Sequence, residues 1–276
     1  MSSLREVQLY GLKILKEVVK VCDENGIKYH LSWGTLLGAI RHQGFIPWDN
    51  DIDITMPIAD YRKFLEIAPS QLPKWLFVQT YKTDPGYNEM WAKVRANGTT
   101  SMPLRWKNYN IHFGIGIDIF PIIGWYESLT LAKLQKKVFS LCRLLLAREY
   151  LLAIDTKENV FSNWKLRVVY SLPWSIRCNL CSILSYFVFR DTGKSHKIAF
   201  VDTILRGELD ATLFSGDRKE LFEGYYFSAP LEVDKILTYM YGDYMIPPSP
   251  EKRGYGHELE LGKIIYDCEK DYREYL

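Results

Sequence analysis

A chain of 276 residues and 32.3 kDa is long enough to bury one full hydrophobic core, with or without an insertion, and too short to favour two equal domains. Hydrophobic residues make up 47% and charged residues 25%, which excludes a largely disordered chain, while a net charge of +2 speaks against a nucleic-acid partner. Five cysteines (Cys22, Cys142, Cys178, Cys181 and Cys268) form no dense framework and follow no secretory leader, which predicts a reducing, cytoplasmic setting.

From Ser3 to Asn25, Leu4, Val7, Leu12, Leu15, Val18, Val19 and Cys22 recur at helical spacing, and Asn25-Gly26 supplies a helix exit. Ile27 to Trp33 reads as a strand, followed by a tight Gly34-Thr35 turn into a helix from Leu36. Backbone amides at such a strand-to-helix junction point outward and favour anions, so Gly34 and Thr35 are candidates to seat a nucleotide phosphate. After a loop at Gln43 to Pro47, Asp51 to Met56 reads as a strand in which Ile52 and Ile54 alternate with Asp51 and Asp53, projecting both carboxylates from one face. A helix is expected from Ile58 to Ala68, then strands at Trp75 to Thr80 and Tyr87 to Arg95 around the Asp84-Pro85-Gly86 turn. Ile115 to Phe120 alternates again and presents Asp118 from a core strand.

The pattern then changes. Leu129 to Ile154 and Trp164 to Phe189 are long, apolar, mainly helical stretches, with Pro173 expected to break the second. Between Leu129 and Arg190 stand ten Lys and Arg against three Asp and Glu, a local net charge of +7. Two readings stay open: peripheral contact with an anionic membrane face, or a helical subdomain with an ordinary basic surface. Arg167, Arg177 and Arg190 cut the apolar runs below the eighteen or so residues of a membrane span. Beyond Thr192 the pattern is mixed, with turns at Gly193, Gly216, Gly224 and Gly242 and a Pro-rich exit at Pro247 to Pro250. The expected organisation is a catalytic core over 1–128, a basic helical insertion over 129–190, and a segment over 191–276 that packs on the core and closes the site.

Two aspartates one apolar residue apart repel each other unless a hard cation binds both, and Mg²⁺ or Mn²⁺ held this way serves attack on phosphorus. Asp118 would complete a three-carboxylate site. The competing reading is a polar turn at Asp49, Asn50 and Asp51 before an exposed strand. The flanking Ile52, Ile54, Ile117 and Ile119 favour the cation, because carboxylates on core strands are costly without one. Lys93 and Arg95 alternate on a strand and suit a pyrophosphate clamp, or else an exposed face. Cys178 and Cys181 have no second ligand pair at zinc spacing and read as packing residues. His30 and His112 flank these segments as substrate contacts or structural histidines.

The segment SWGTLLGAIRHQGFIPWDNDIDI resembles the signature of the LicD family, and KVRANGTTS, GIGIDIFPI and YGDYMIPPSPEKRGYGH look like that family's later blocks. The resemblance implies an α/β fold of nucleotidyltransferase type, a mixed sheet flanked by helices with a largely helical insertion. It further implies Gly34 and Thr35 at the donor phosphates, Asp51 and Asp53 on the metal, and Asp118 as third ligand or base. The implied reaction moves choline phosphate from CDP-choline to a hydroxyl of a lipid-linked glycan precursor of teichoic acid or lipopolysaccharide type, on the cytoplasmic side of a membrane. Choline is a quaternary ammonium best held over aromatic faces, which makes Trp33, Trp48, Trp91, Trp106 and Tyr109 candidate cage members. Arg253 and His257 would reach back over the site. Two departures stand out: Thr35 replaces the usual Ser, and the QGFIPW stretch lengthens the interval to Asp51, leaving the role of Asp49 open. The alternatives are a nucleotidyltransferase acting on a sugar or small acceptor, and a non-catalytic glycan-binding or membrane scaffold protein.

Overall fold

The computed structural model describes residues 1–147, 168, 169, 171–202, 204, 207–249, 253 and 263–276. Helix α1 (Leu4–Asn25) starts at a capping box in which Ser3 and Glu6 satisfy each other's backbone amides, and it ends on Gly26 in the left-handed region at φ 59°. Its apolar stripe, Val7, Ile14, Leu15, Val18 and Cys22, is buried. Strand β1 (His30–Leu31) leads into α2 (Trp33–His42), and β2 (Asp53–Pro57) runs directly into α3 (Ile58–Gln71). Next come β3 (Leu76–Gln79), β4 (Ala92–Ala96), β5 (Thr100–Pro103) and β6 (Gly116–Gly124). Two helices, α4 (Leu129–Leu146) and α5 (Trp174–Val188), precede β7 (Lys197–Phe200), β8 (Leu209–Asp210), the β9 (Asp217–Phe222) and β10 (Tyr225–Pro230) hairpin, α6 (Val233–Tyr241) and β11 (Ile264–Asp267).

The main sheet has the order β1-β2-β6-β4-β3, with β7 on the far half of β6 and β8 on β7. Among the described residues only β2 and β6 pair in parallel; the sheet is mixed and flanked by helices, as the sequence predicts. Helices α1 and α3 cover one face. That face takes Ile52, Ile54 and Met56 from β2 and its lead-in, Ile117 and Ile119 from β6, and Val94 from β4, all buried. The opposite parity, Asp53, Asp118, Lys93 and Arg95, is left for the other face.

Several expected boundaries move. The strand predicted at Ile27 to Trp33 shrinks to two residues because Trp33 already opens α2, at φ 46°. The strand predicted from Asp51 begins at Asp53, so Asp51 lies on the irregular lead-in and only Asp53 projects from the strand. Only Ala92–Ala96 of the stretch from Tyr87 is extended; Asp84 draws the chain before it into a turn, accepting from Gln79 Nε2 at 2.6 Å and from the His112 amide at 2.8 Å. Strand β6 runs on to Gly124 because β7, remote in sequence, pairs Ile122 with Phe200. Pro173 precedes α5, and of the predicted helical stretches residues 148–154, 164–167 and 170 lie outside the described ones. No helix among the described residues is long and apolar enough to cross a membrane.

The β9-β10 turn props the loop between α2 and β2. Glu223 accepts from the Phe45 amide at 3.1 Å and from both Arg5 terminal nitrogens at 3.0 and 2.6 Å. From the other side, buried Gln8 of α1 donates to the Asp49 carbonyl at 2.7 Å. The loop that carries Trp48, Asp49 and Asp51 is therefore held at several points.

Candidate active site

Strand register builds the centre of the site. Asp53 stands opposite Asp118 in the parallel β2-β6 pair, and Lys93 stands opposite Asp118 in the antiparallel β4-β6 pair. Laterally paired residues share a sheet face with Cβ atoms about 5 Å apart, so Asp53, Asp118 and Lys93 form one row on the face that the helices leave open. Asp118 is buried with both oxygens bonded: Oδ2 accepts from Lys93 Nζ at 2.7 Å and Oδ1 from Trp91 Nε1 at 2.8 Å. Asp53 has the opposite surroundings. Burial, then the charges of Asp51, Asp118 and Asp49, raise its pKa well above the carboxylate range, with Lys93 the opposing influence. Asp53 thus sits among three other carboxylates.

The start of α2 is bonded to the start of β2. The Asp53 amide donates to Thr35 Oγ1 at 2.8 Å, and the Ser32 amide donates to the Asp53 carbonyl at 3.0 Å. Thr35 therefore positions Asp53, and its hydroxyl proton remains available to donate. Gly34 is required by a close approach: a Cβ there would lie 2.4 Å from Asp49 Oδ2. The carboxylate of Asp49 accordingly rests against the first turn of α2, beside the proposed phosphate seat.

Lys93 and Arg95 share a strand face but have different duties. Lys93 joins the carboxylate row. Arg95 lies over Gly116, where a Cβ would come within 2.9 Å of its Cγ; its Nε donates to Gln79 Oε1 and its Nη1 to the Gly114 carbonyl at 2.7 Å. Burial lowers its pKa, against the pull of Tyr87 and Asp118.

Three residues near the row escaped sequence reasoning. Oε2 of Glu89 and the hydroxyl of Tyr87 are buried without a hydrogen-bond partner. Burial raises the Glu89 pKa, Arg143 and Lys93 oppose it, and Asp118 adds to it, which places Glu89 beside the row. Tyr87 is raised by burial and then by Asp118 and Glu89. Tyr241 of α6 leaves 42% of its surface exposed, yet its hydroxyl end is raised by burial and by Asp53, Asp49, Asp51 and Asp202. Glu89 and Tyr87 share the parity of Trp91, Lys93 and Arg95 in the stretch expected as a strand, but lie on the irregular chain before β4; Tyr241 opens the YGDY block already singled out.

The aromatic candidates divide. Trp91 touches the row directly and packs on Phe120 with ring centroids 5.1 Å apart. Trp33 packs on Phe200 at 5.2 Å, with a buried Nε1 that finds no partner. Trp48 lies under the Arg253 guanidinium at 4.9 Å, and Arg253 Nε donates to the Pro248 carbonyl at 3.0 Å. Trp106 and Tyr109 belong to a separate small core with Met102, Ile111, Phe113 and Tyr272. His112 stacks on Phe77, accepts from the Gly114 amide at Nδ1 (3.0 Å) and meets Asn97 Oδ1 through Nε2 (2.9 Å). Burial, then Arg95, pushes its pKa down to about 4, so it is a neutral structural ring with both nitrogens spoken for. Buried His30 is bonded to Asp217 Oδ1 at 2.6 Å. His257 lies outside the described residues.

The oxygen-only donor set suits a hard divalent cation, and the unrelieved repulsion around Asp53 is what such an ion would remove. Among the described residues no three acidic, His or Cys side chains already converge as a finished ligand set, and both Asp118 oxygens are bonded.

Residues 26–137, which contain the whole row, match the family model described as LicD/FKTN/FKRP, nucleotidyltransferase domain. The chain is 49% identical over 65 residues to the lipopolysaccharide cholinephosphotransferase LicD of Haemophilus influenzae, covering 24% of each protein. It is 43% identical over 68 residues to an uncharacterized protein of Rickettsia typhi, covering 25% of this chain and 21% of that one. Over 58 residues it is 41% identical to the ribitol 5-phosphate transferase FKRP of Mus musculus, covering 21% of this chain and 10% of that protein. The matched stretches thus span less than a quarter of these relatives' length.

Proposed function

From the premise that this chain carries a LicD-family nucleotidyltransferase domain over residues 26–137, we propose that it is a phosphotransferase moving choline phosphate from CDP-choline to a hydroxyl of a surface-glycan precursor. The observation that supports this most is the register of β2, β6 and β4, which sets Asp53, Asp118 and Lys93 in one row and gathers Asp49 and Asp51 beside it. Asp51, Asp53 and Asp118 are the residues that would hold Mg²⁺ or Mn²⁺. When bound, the ion would neutralise the donor's phosphate oxygens.

The remaining roles belong to the chain itself. Lys93 stands where a donor diphosphate lying along the row meets an ammonium group. The first turn of α2, with Gly34 and Thr35, offers backbone amides to the same phosphates. Attack by the acceptor hydroxyl on the choline-bearing phosphorus forms the new P–O bond, breaks the bond to the second phosphate and releases CMP, the hydroxyl proton passing to solvent. Trp91, fixed by its bond to Asp118, offers an aromatic face beside the reacting centre for a quaternary ammonium. The acceptor we envisage is lipid-linked and reached from the cytoplasmic side, of teichoic acid or lipopolysaccharide type.

Product analysis tests the proposal. Purified protein given Mg²⁺, CDP-choline and a glycan acceptor should release CMP and label the glycan with choline. Pyrophosphate release from a nucleoside triphosphate would replace this reading with nucleotidyl transfer. Parallel incubations with CDP-ethanolamine and CDP-ribitol identify the alcohol, the latter prompted by the similarity to a ribitol 5-phosphate transferase.

A further inference from the structure

We infer that the α4-α5 helix pair is a docking surface for an anionic lipid bilayer. Each helix carries two apolar stripes where one would suffice for packing. In α4 the inner stripe includes buried Phe139, Cys142 and Leu145, and the second, Leu131, Leu134 and Leu141, stands in water. In α5 the inner stripe includes buried Cys178, Cys181 and Val188, and the second is Ile176, Leu180 and Ile183, the last 67% exposed. Spacings of three, four and seven residues align each outer set along its helix.

The two outer stripes face the same way. The helices are antiparallel, since Gln135 Nε2 donates to the Val188 carbonyl at 2.8 Å and Arg177 Nη1 to the Leu145 carbonyl at 3.0 Å, with Cys142 over the Cys181 carbonyl between them. Counted at about 100° per residue around each axis from that seam, the outer stripe of α4 and that of α5 fall on the same side of the pair. One apolar face results.

Charge chooses the occupant. Neither helix contains an Asp or Glu, and α4 carries Lys133 and Lys137 next to its outer stripe, while Lys136 lies over the Trp125 ring and Arg143 turns toward Glu89. A second copy of the chain would set these cations against their own kind, and a neutral apolar partner would make no use of them. An anionic bilayer takes the leucine and isoleucine side chains into its acyl boundary and the lysines at its headgroups. The inference stands apart from the transfer reaction proposed above.

Co-sedimentation of the full chain with vesicles tests it without any reading of activity. Binding should be strong with phosphatidylcholine vesicles that include phosphatidylglycerol, weak with phosphatidylcholine alone, and reduced by salt. Leu134→Glu with Ile183→Glu should keep the wild-type melting temperature and lose vesicle binding about tenfold or more; Lys133→Glu with Lys137→Glu should do the same. Equal binding to both vesicle types, undiminished binding by the folded variants, or a concentration-dependent dimer broken by the same changes in a protein that ignores vesicles would overturn the inference.

Discussion

The carboxylate row and the α4-α5 face are misplaced in opposite senses. In the row, charge is taken out of water: Asp118 is buried and Asp53 is crowded by three further acids. On the helix pair, Leu131, Leu134, Leu180 and Ile183 are left in water. A sequence selected for stability alone would reverse both choices. The partners proposed above, a cation and phosphate in one case and a lipid surface in the other, are those whose chemistry would relieve each region.

The largest expected effect comes from the row. Asp53→Asn should lower turnover by about a thousandfold or more while leaving the melting temperature unchanged or raised, because it removes a charge that its neighbours disfavour. Retained turnover, or a clear fall in melting temperature, would show that Asp53 serves the fold rather than the chemistry.

A buried group with every partner in place sharpens the contrast. The His112 ring is fully bonded and neutral, with its pKa depressed to about 4. Below an unfolded pKa of about 6.5 the unfolded chain gains a proton that the folded chain refuses, so its contribution is present above that pH and lost as pH falls towards 4. Stability should decline across this window by up to about 3 kcal/mol, and the decline should be shallower in His112→Asn, measured by denaturant titration at each pH. An identical slope in the variant would assign the acid sensitivity to other groups.

The smallest effect belongs to the exposed face. Ile183→Ser should change stability in solution by no more than about 0.5 kcal/mol, whereas a core truncation in the same pair, Leu145→Ala, should cost roughly 2–5 kcal/mol. A large loss from Ile183→Ser would mean that this side chain supports the fold and that the contrast between inner and outer stripes is wrong.

Much of the layer that carries the carboxylate row was legible because its signals are local. The Ile52–Ile54 and Ile117–Ile119 alternation marked strands with one apolar face, and the cap at Ser3 and exit at Gly26 bounded α1. Register was not legible: nothing in the spacing says that Asp53 meets Asp118, or that Lys93 completes the row while Arg95 is bonded to Gln79 and Gly114. Asp51 was placed on the strand because alternation counts residues and cannot see where pairing begins. Glu89 and Tyr87 were missed although the strand expected from Tyr87 to Arg95 gives them the parity of Lys93, and Tyr241 since its approach depends on how α6 packs.

On the edge opposite β2, strand β6 divides its length between two partners, β4 beside Gly116–Ile119 and β7 beside Ile122–Gly124. During synthesis the first partner has already emerged when β6 leaves the ribosome, but the second is made only after both long helices. A nascent chain ending before Lys197 therefore holds every aspartate of the row next to a half-strand whose edge is open, an invitation to pair with a neighbouring polypeptide. The interval between translating Gly124 and Phe200 is the period in which this chain depends most on being kept apart from other copies.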